Sequence, residues 1–254
     1  MYPYIHIFER SIPTYSLCIL VAIAVVYLFS ASDCKKKSLS IYDLIIMATV
    51  AVFTGLFCAA LLYIIVTYPP KVLFSMIKTG DYSFLEGGLV FYGGLIGGII
   101  GAFLGKRIAN CRFYDYESCV IPYLPLGHAI GRIGCLLGGC CYGFEYSGPL
   151  AIHYNNSITD LQAHQGYFPT PLLECCLNLC ICGILLKIRK RKLAPGKLLA
   201  TYLLLYGVVR IFTEMFRGDA ARGIFLNIST SQWISIALII VSTSYLIFGK
   251  KKNK

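Results

Sequence analysis

Residues 14–37 read TYSLCILVAIAVVYLFSASDCKKK, an apolar run closed by Lys35, Lys36 and Lys37. A helix crosses the hydrocarbon core of a bilayer with about 20 mostly apolar residues, and this run supplies them from roughly 14 to 31 before the lysines end it. Glu9 sits beside Arg10 ahead of the run, unlike the basic leader of a cleaved signal, so the segment is expected to stay in the mature chain. Six further runs follow, at roughly 41 to 67, 89 to 105, 121 to 140, 171 to 187, 197 to 213 and 231 to 248, of which 89 to 105 and 171 to 187 are short. The expected fold class is an all-α polytopic membrane protein with about seven transmembrane helices.

Composition leads the same way. Of 254 residues 57% are hydrophobic and 14% charged, where a soluble domain carries roughly 25% charged; soluble enzymes, disordered tails and disulfide scaffolds are excluded. The net charge of +11 does not mark a nucleic-acid binder, because the basic residues lie between apolar runs and form no stripe. Sixteen of the 23 Lys and Arg fall in alternate loops, at Lys35 to Lys37, at Lys106, Arg107 and Arg112, between Lys187 and Lys197, and at the C-terminus. By the positive-inside rule those loops are cytoplasmic, so the N-terminus is outside and the C-terminus inside, as an odd number of spans requires. One membrane domain over 1–254 is expected, with an outer loop or small cap at about 141–170 that holds Tyr142, Glu145, His153, Asn155 and Asn156. Most of the twelve cysteines lie in apolar runs and read as buried thiols.

Three runs stand out, one for its glycines and two for charges that lipid does not tolerate. In the third, Gly93, Gly97, Gly101 and Gly105 recur every four residues, which suits close helix packing and alternatively a narrow wall for a lipid. In the fourth, Arg132 stands mid-span, where an arginine costs about 2.5–3.5 kcal/mol even on the lenient scale; it needs a buried carboxylate or an anionic ligand. His128 lies one turn before it and shares its face, either as a structural histidine or as a proton carrier. Cys135, Cys140 and Cys141 follow. In the sixth, Tyr206, Arg210, Glu214 and Arg217 fall on one helical face. Arg210 with Glu214 makes an intrahelical pair or, since cations outnumber nearby carboxylates, part of a phosphate site. Under the deduced orientation Tyr15, Tyr92, Glu174, Arg210 and Glu214 all sit at outer helix ends.

These landmarks resemble the bacterial prolipoprotein diacylglyceryl transferase family. The resemblance covers most of the chain: Ile12-Pro13 with Tyr15; Phe91-Tyr92-Gly93-Gly94-Leu95; Pro125-Leu126-Gly127 leading to Gly131-Arg132-Ile133-Gly134 and Gly143; Pro169-Thr170 with Glu174; Tyr206-Gly207 with Arg210, Glu214, Arg217 and Asp219; and Gln232. It implies a seven-span enzyme of the bacterial cytoplasmic (inner) membrane, its site toward the outer face. Such an enzyme moves the diacylglyceryl group of phosphatidylglycerol to the lipobox cysteine of a prolipoprotein signal peptide, forming a thioether. It implies that Arg132 and Arg210 hold the phosphate, that Glu214 orients Arg210, and that Tyr15, Tyr206, Gly93, Gly94 and Gly143 line the lipid site. Neither cofactor nor metal is expected; the partners are phosphatidylglycerol, prolipoprotein and membrane lipids, not nucleic acid.

Three positions depart from the family pattern. Tyr92 replaces a histidine, Cys135 an asparagine and Cys140 a glutamate. The usual base is therefore absent, and Tyr92 and His128 are the side chains left to take the thiol proton. Cys135, Cys140 and Cys141 suggest a thiol role, or a metal site whose spacing matches no standard motif. Transfer to a different acceptor, and a lipid-binding pseudoenzyme of the same fold, are the alternative functions. A transporter ranks last, since inverted repeats are not evident.

Overall fold

The computed structural model describes residues 2–7, 10–86, 90–154, 165–191, 193–218, 224–225 and 228–249. A hairpin of β1 (Tyr4–Ile7) and β2 (Arg10–Pro13) leads into α1 (Thr14–Lys36), followed by α2 (Ile41–Thr67), α3 (Pro70–Thr79), α4 (Phe91–Ile108), α5 (Phe113–Val120) and α6 (Leu124–Gly138). After α6 come β3 (Ile152–His153), β4 (Gly166–Tyr167), α7 (Thr170–Ile188) and α8 (Lys197–Glu214). The chain closes with β5 (Ile224–Phe225), β6 (Ile228–Ser229) and α9 (Thr230–Phe248). The described residues are mostly helical, as expected, with three small antiparallel hairpins among them.

Five helical stretches among the described residues are long and apolar enough to cross a membrane: Thr14–Lys36, Ile41–Thr67, Phe113–Gly138, Thr170–Ile188 and Thr230–Phe248. The fourth apolar run therefore starts earlier than expected, at Phe113, and bends through a 3-10 turn at Ile121–Tyr123. Pro122 and Pro125 account for the bend, because each removes a backbone donor from the helical ladder. α8 coincides with the expected sixth run but carries Lys197, Arg210 and Glu214, which lower its hydropathy.

The chain divides into two compact units, residues 34–116 and the remainder. In the first, α2 and α4 pack antiparallel along the period-four glycines. A Cβ at Gly97 would overlap the Thr54 carbonyl, and one at Gly105 would lie 2.7 Å from the Met47 Cα, so only glycine permits this approach. Thr54 Oγ1 donates to the Gly97 carbonyl at 2.8 Å across the seam. Packing against α2 is thus the structural role of Gly93, Gly97, Gly101 and Gly105.

In the second unit α1, α7 and α9 run one way and α6 and α8 the other. Gly127 meets Val26 and Gly134 meets Cys18 and Tyr15, which sets α6 antiparallel to α1. All three hairpins consequently lie at the end where α1, α7 and α9 begin. The opposite end is closed by polar contacts: Arg189 pairs with Asp33, Tyr123 donates to Asp33 at 2.5 Å, and Glu117 accepts from Gly196 N at 2.8 Å and Leu199 N at 2.9 Å. The Glu117 carboxylate thereby caps the N-terminus of α8, where the helix dipole favours a negative charge.

Candidate active site

The two arginines expected in the bundle are joined by one carboxylate. Glu174, in the first turns of α7, presents Oε2 to Arg132 Nε of α6 and Oε1 to Arg210 Nη1 of α8, the latter at 2.6 Å. Arg210 Nη2 reaches Glu214 Oε2 at 3.0 Å, four residues on along α8. Ser231, in the first turn of α9, donates to that same oxygen at 2.8 Å. A row of alternating charge, Arg132, Glu174, Arg210, Glu214, thus crosses three helices and ends on a fourth. Its formal charge is zero, which is how four ionised groups persist inside an apolar bundle. The expected surplus of cations is therefore met within the protein by Glu174. The Arg132 side chain is 21% exposed against 12% for Arg210 and 4% for Glu174, so Arg132 is the open end of the row.

His128 sits one turn below Arg132 with Nδ1 at 3.0 Å from the Tyr202 hydroxyl, and its ring lies 5.4 Å from that of Tyr206. Tyr206 thus joins α8 to the histidine face of α6. Tyr15 rests against α6 at Gly134, half a turn beyond Arg132, and is 38% exposed. Gly143 lies where three chain segments cross: its N–H donates to Phe168 O at 3.0 Å, and Gly218 N donates to Tyr142 O at 3.1 Å. A Cβ there would lie 2.6 Å from the Phe168 carbonyl, so Gly143 has a packing role. Gly93 and Gly94 belong to α4 in the other unit, Gly93 against the Cys58 carbonyl. Tyr92 falls in the first turn of α4 with its side chain outside the described residues, as are Asn155, Asn156 and Asp219.

Cys135, Cys140 and Cys141 converge. α6 ends at Gly139 in the left-handed region (φ 72°), Cys141 also has a positive φ of 57°, and the chain folds back so that the three Sγ atoms lie within 4.8 Å of one another. None of them is in a disulfide. Cys140 Sγ donates to the Cys135 carbonyl at 3.7 Å, and the neighbouring thiols of Cys135 and Cys140, then Arg132 and Arg217, push the Cys141 thiol well below its ordinary value. Tyr154 is 1% exposed, and its hydroxyl has no hydrogen-bond partner among the described residues. Burial, and then charge on Cys140, Cys141 and Cys135, raise its pKa to about 12.

Beyond α6, Phe144, Phe168 and Phe216 stack with ring separations of 5.5 and 5.1 Å, and β3 pairs with β4. The described part of the 141–170 interval is thus packed into a small lobe, joined by Phe216 from the segment after α8. It holds an open cavity of about 650 Å³ lined by Glu145, Tyr146, Leu150 and His153 among others, to which no member of the arginine row contributes.

Sequence reasoning singled out Arg132, Arg210, Glu214 and His128, and the structure gathers them with Tyr206. It noted Glu174 only as an outer-end landmark. The available signal was a lone carboxylate within the apolar seventh helix, and such a group needs a cationic partner.

Fold and site together define a multi-pass membrane protein with a paired-charge centre and a thiol cluster inside its helical bundle. The chain belongs to the prolipoprotein diacylglyceryl transferase family, which it matches over residues 3–248. It is 30% identical over 243 residues to the phosphatidylglycerol–prolipoprotein diacylglyceryl transferase of Clostridium tetani, covering 92% of each chain. The transferase of Clostridioides difficile is 29% identical over 227 residues, 89% of this chain and 86% of the relative. The second such transferase of Clostridium perfringens is 30% identical over 215 residues, 84% and 81% of the two chains.

Proposed function

We propose that this protein transfers the diacylglyceryl group of phosphatidylglycerol to the lipobox cysteine thiol of a prolipoprotein, working as one seven-span domain in the bacterial cytoplasmic membrane. In this reading α4 and α8 complete the seven spans, and the positive-inside distribution of loop charge supports an N-terminus and arginine row toward the outer side. The observation that carries the reading is the Arg132–Glu174–Arg210–Glu214 row in a chain of this family.

Arg132 and Arg210 hold the lipid phosphate and stabilise the charge that builds on it as the glyceryl carbon–oxygen bond breaks. Glu214 keeps Arg210 in orientation, and Tyr15, Tyr206 and Gly143 flank the lipid. The acceptor sulfur attacks the glyceryl carbon, the thioether forms, and glycerol phosphate leaves. Attack requires a thiolate. His128 serves as its base only in the tautomer whose Nδ1–H donates to Tyr202, because the other tautomer leaves Nε2 protonated. Tyr92 is the other candidate, but a phenol of unperturbed pKa near 10 is a weak base at neutral pH.

The test is transfer of labelled diacylglyceryl from phosphatidylglycerol to a synthetic lipobox-cysteine peptide by the purified protein. Thioether product that disappears in Arg210→Ala supports the reading. Transfer to a small thiol or alcohol with none to the peptide moves the activity to another acceptor, and lipid binding without any transfer makes the protein a pseudoenzyme. His128→Ala with full activity removes the histidine as base.

A further inference from the structure

We propose that Cys135, Cys140 and Cys141 form a three-thiolate zinc site whose fourth position binds the acceptor thiol as thiolate, replacing the missing side-chain base. The proposal rests on the transferase reading for the role of the metal, but the site itself rests on geometry.

Three thiols drawn from seven consecutive residues lie within 4.8 Å of one another without forming a disulfide. Zinc–sulfur bonds of about 2.3 Å in a tetrahedron require sulfur separations of about 3.8 Å, so closure on a metal needs adjustments of an ångström or less. The backbone is shaped for this convergence. Gly139 ends α6 in the left-handed conformation, and Cys141, a residue with a Cβ, also takes a positive φ of 57°. Such a conformation costs on the order of 1 kcal/mol in a non-glycine residue, and here it returns the third sulfur to the other two.

Two surrounding features point to a bound ligand. The Tyr154 hydroxyl is buried within electrostatic range of the three thiols and lacks a hydrogen-bond partner among the described residues. A zinc-bound thiolate would accept that hydrogen bond, as outer groups commonly orient metal ligands. Zinc with three thiolates also carries one net negative charge. Arg132 lies three residues before Cys135 on the same face of α6, and both Arg132 and Arg217 are near enough to act on Cys141.

Three protein ligands and an open fourth position are the coordination of catalytic zinc, not of structural zinc. A thiol entering the fourth position is deprotonated on binding and stays nucleophilic. In the transfer, the acceptor S–H gives its proton to solvent as sulfur binds zinc. The sulfur lone pair then forms the bond to the glyceryl carbon. The carbon–oxygen bond breaks with its electron pair passing to the phosphate oxygen beside Arg132, and the neutral thioether leaves the metal. Thiol and phosphodiester thus give thioether, phosphate monoester and one proton, with no change of oxidation state. Cys135 and Cys140 stand where the family pattern has asparagine and glutamate, so two of the three metal ligands are departures from that pattern.

The experiment measures zinc in full-length protein purified in detergent without chelators, then transfer before and after zinc removal. About one zinc per chain, an absorption spectrum of sulfur ligation, and transfer lost on chelation and restored by added Zn2+ are expected. Cys135→Ser, Cys140→Ser and Cys141→Ser should each lose the metal while still binding phosphatidylglycerol. Tyr154→Phe should keep the site and weaken zinc binding by about 10- to 100-fold. Wild-type protein that takes up no zinc from stoichiometric Zn2+, or zinc-stripped protein with undiminished transfer, overturns the proposal while leaving the transferase reading intact. Stoichiometric zinc on sulfur with no transfer to the lipobox peptide overturns the catalytic role and the transferase reading together, with the metal site left standing.

Discussion

Glu174→Gln should be the most damaging isosteric change in the bundle, because a single carboxylate serves two arginines. One oxygen faces Arg132 Nε and the other lies 2.6 Å from Arg210 Nη1, on a side chain only 4% exposed. Breaking a buried ion pair from one side costs about 3–5 kcal/mol. Arg210 keeps Glu214 at 3.0 Å, the carboxamide oxygen still accepts one hydrogen bond, and Arg132 is 21% exposed. The low end of that range, about 3 kcal/mol, therefore applies. At about 2–4 °C per kcal/mol for a chain of this size, the unfolding midpoint should fall by about 6–12 °C. Glu214→Gln, which breaks one pair and leaves Arg210 on Glu174, should cost about half as much. Thermal unfolding in detergent, followed with a thiol-reactive fluorogenic dye that reports on the twelve cysteines, reads both variants. Adding Arg132→Gln to Glu174→Gln should recover part of the loss, giving a coupling of about 1 kcal/mol or more. A Glu174→Gln midpoint equal to wild type, or a larger loss in Glu214→Gln, would refute the shared-carboxylate arrangement.

Gly97→Ala should destabilise the α2–α4 pair by about 1–3 kcal/mol, whereas Gly98→Ala, whose Cβ would meet nothing closer than 4.0 Å, should be tolerated; thermal unfolding of the two variants side by side checks this. Gly143→Ala should lower both the unfolding midpoint and transfer, since a methyl group there lies 2.6 Å from the Phe168 carbonyl and from Thr170 Oγ1 at the start of α7. Glu117→Gln removes the charge that caps α8 and should cost about 1 kcal/mol of stability, with phosphatidylglycerol affinity unchanged in a binding assay, because the cap lies at the end of the bundle away from the arginine row.

What the sequence disclosed follows from how local each signal is. The apolar runs that became α1, α2, α7 and α9 were legible because hydropathy over about 20 residues is a property of the segment alone. The early start at Phe113 was not, since Asp115 and Glu117 interrupt the apolar pattern there, and only the contact of Glu117 with the backbone of α8 makes that charge affordable. Arg132 and Arg210 announced themselves as charges in apolar surroundings, and the i, i+4 spacing gave the pair with Glu214. That Glu174 joins the two arginines depends on α7 packing between α6 and α8, which no spacing along the chain encodes. The convergence of three thiols likewise needed the left-handed turn at Gly139 and Cys141. Between α6 and α7, the pairing of β3 with β4 and the stacking of Phe144, Phe168 and Phe216 are tertiary, and no local pattern announces them.

The paired state of the arginines bears on how an anionic lipid would enter. A guanidinium fork binds carboxylate and phosphate with the same geometry, so Glu174 already occupies the kind of position that a phosphate would take between Arg132 and Arg210 under the proposed function. A phosphate that simply joined the neutral row would leave an uncompensated negative charge in a medium of low dielectric, at a cost of several kcal/mol. Exchange gives the phosphate a guanidinium of its own and leaves the extra negative charge at the most exposed end of the row, where its desolvation is smallest. Arg132 is the more exposed of the two, and its described ion pair is with Glu174 alone, while Arg210 is held a second time by Glu214. The phosphate is thus expected to draw Arg132 away from Glu174 while Arg210 stays as the fixed end. Glu214, itself held by Ser231 at the start of α9, keeps that end in place while the arginine on α6 changes partner.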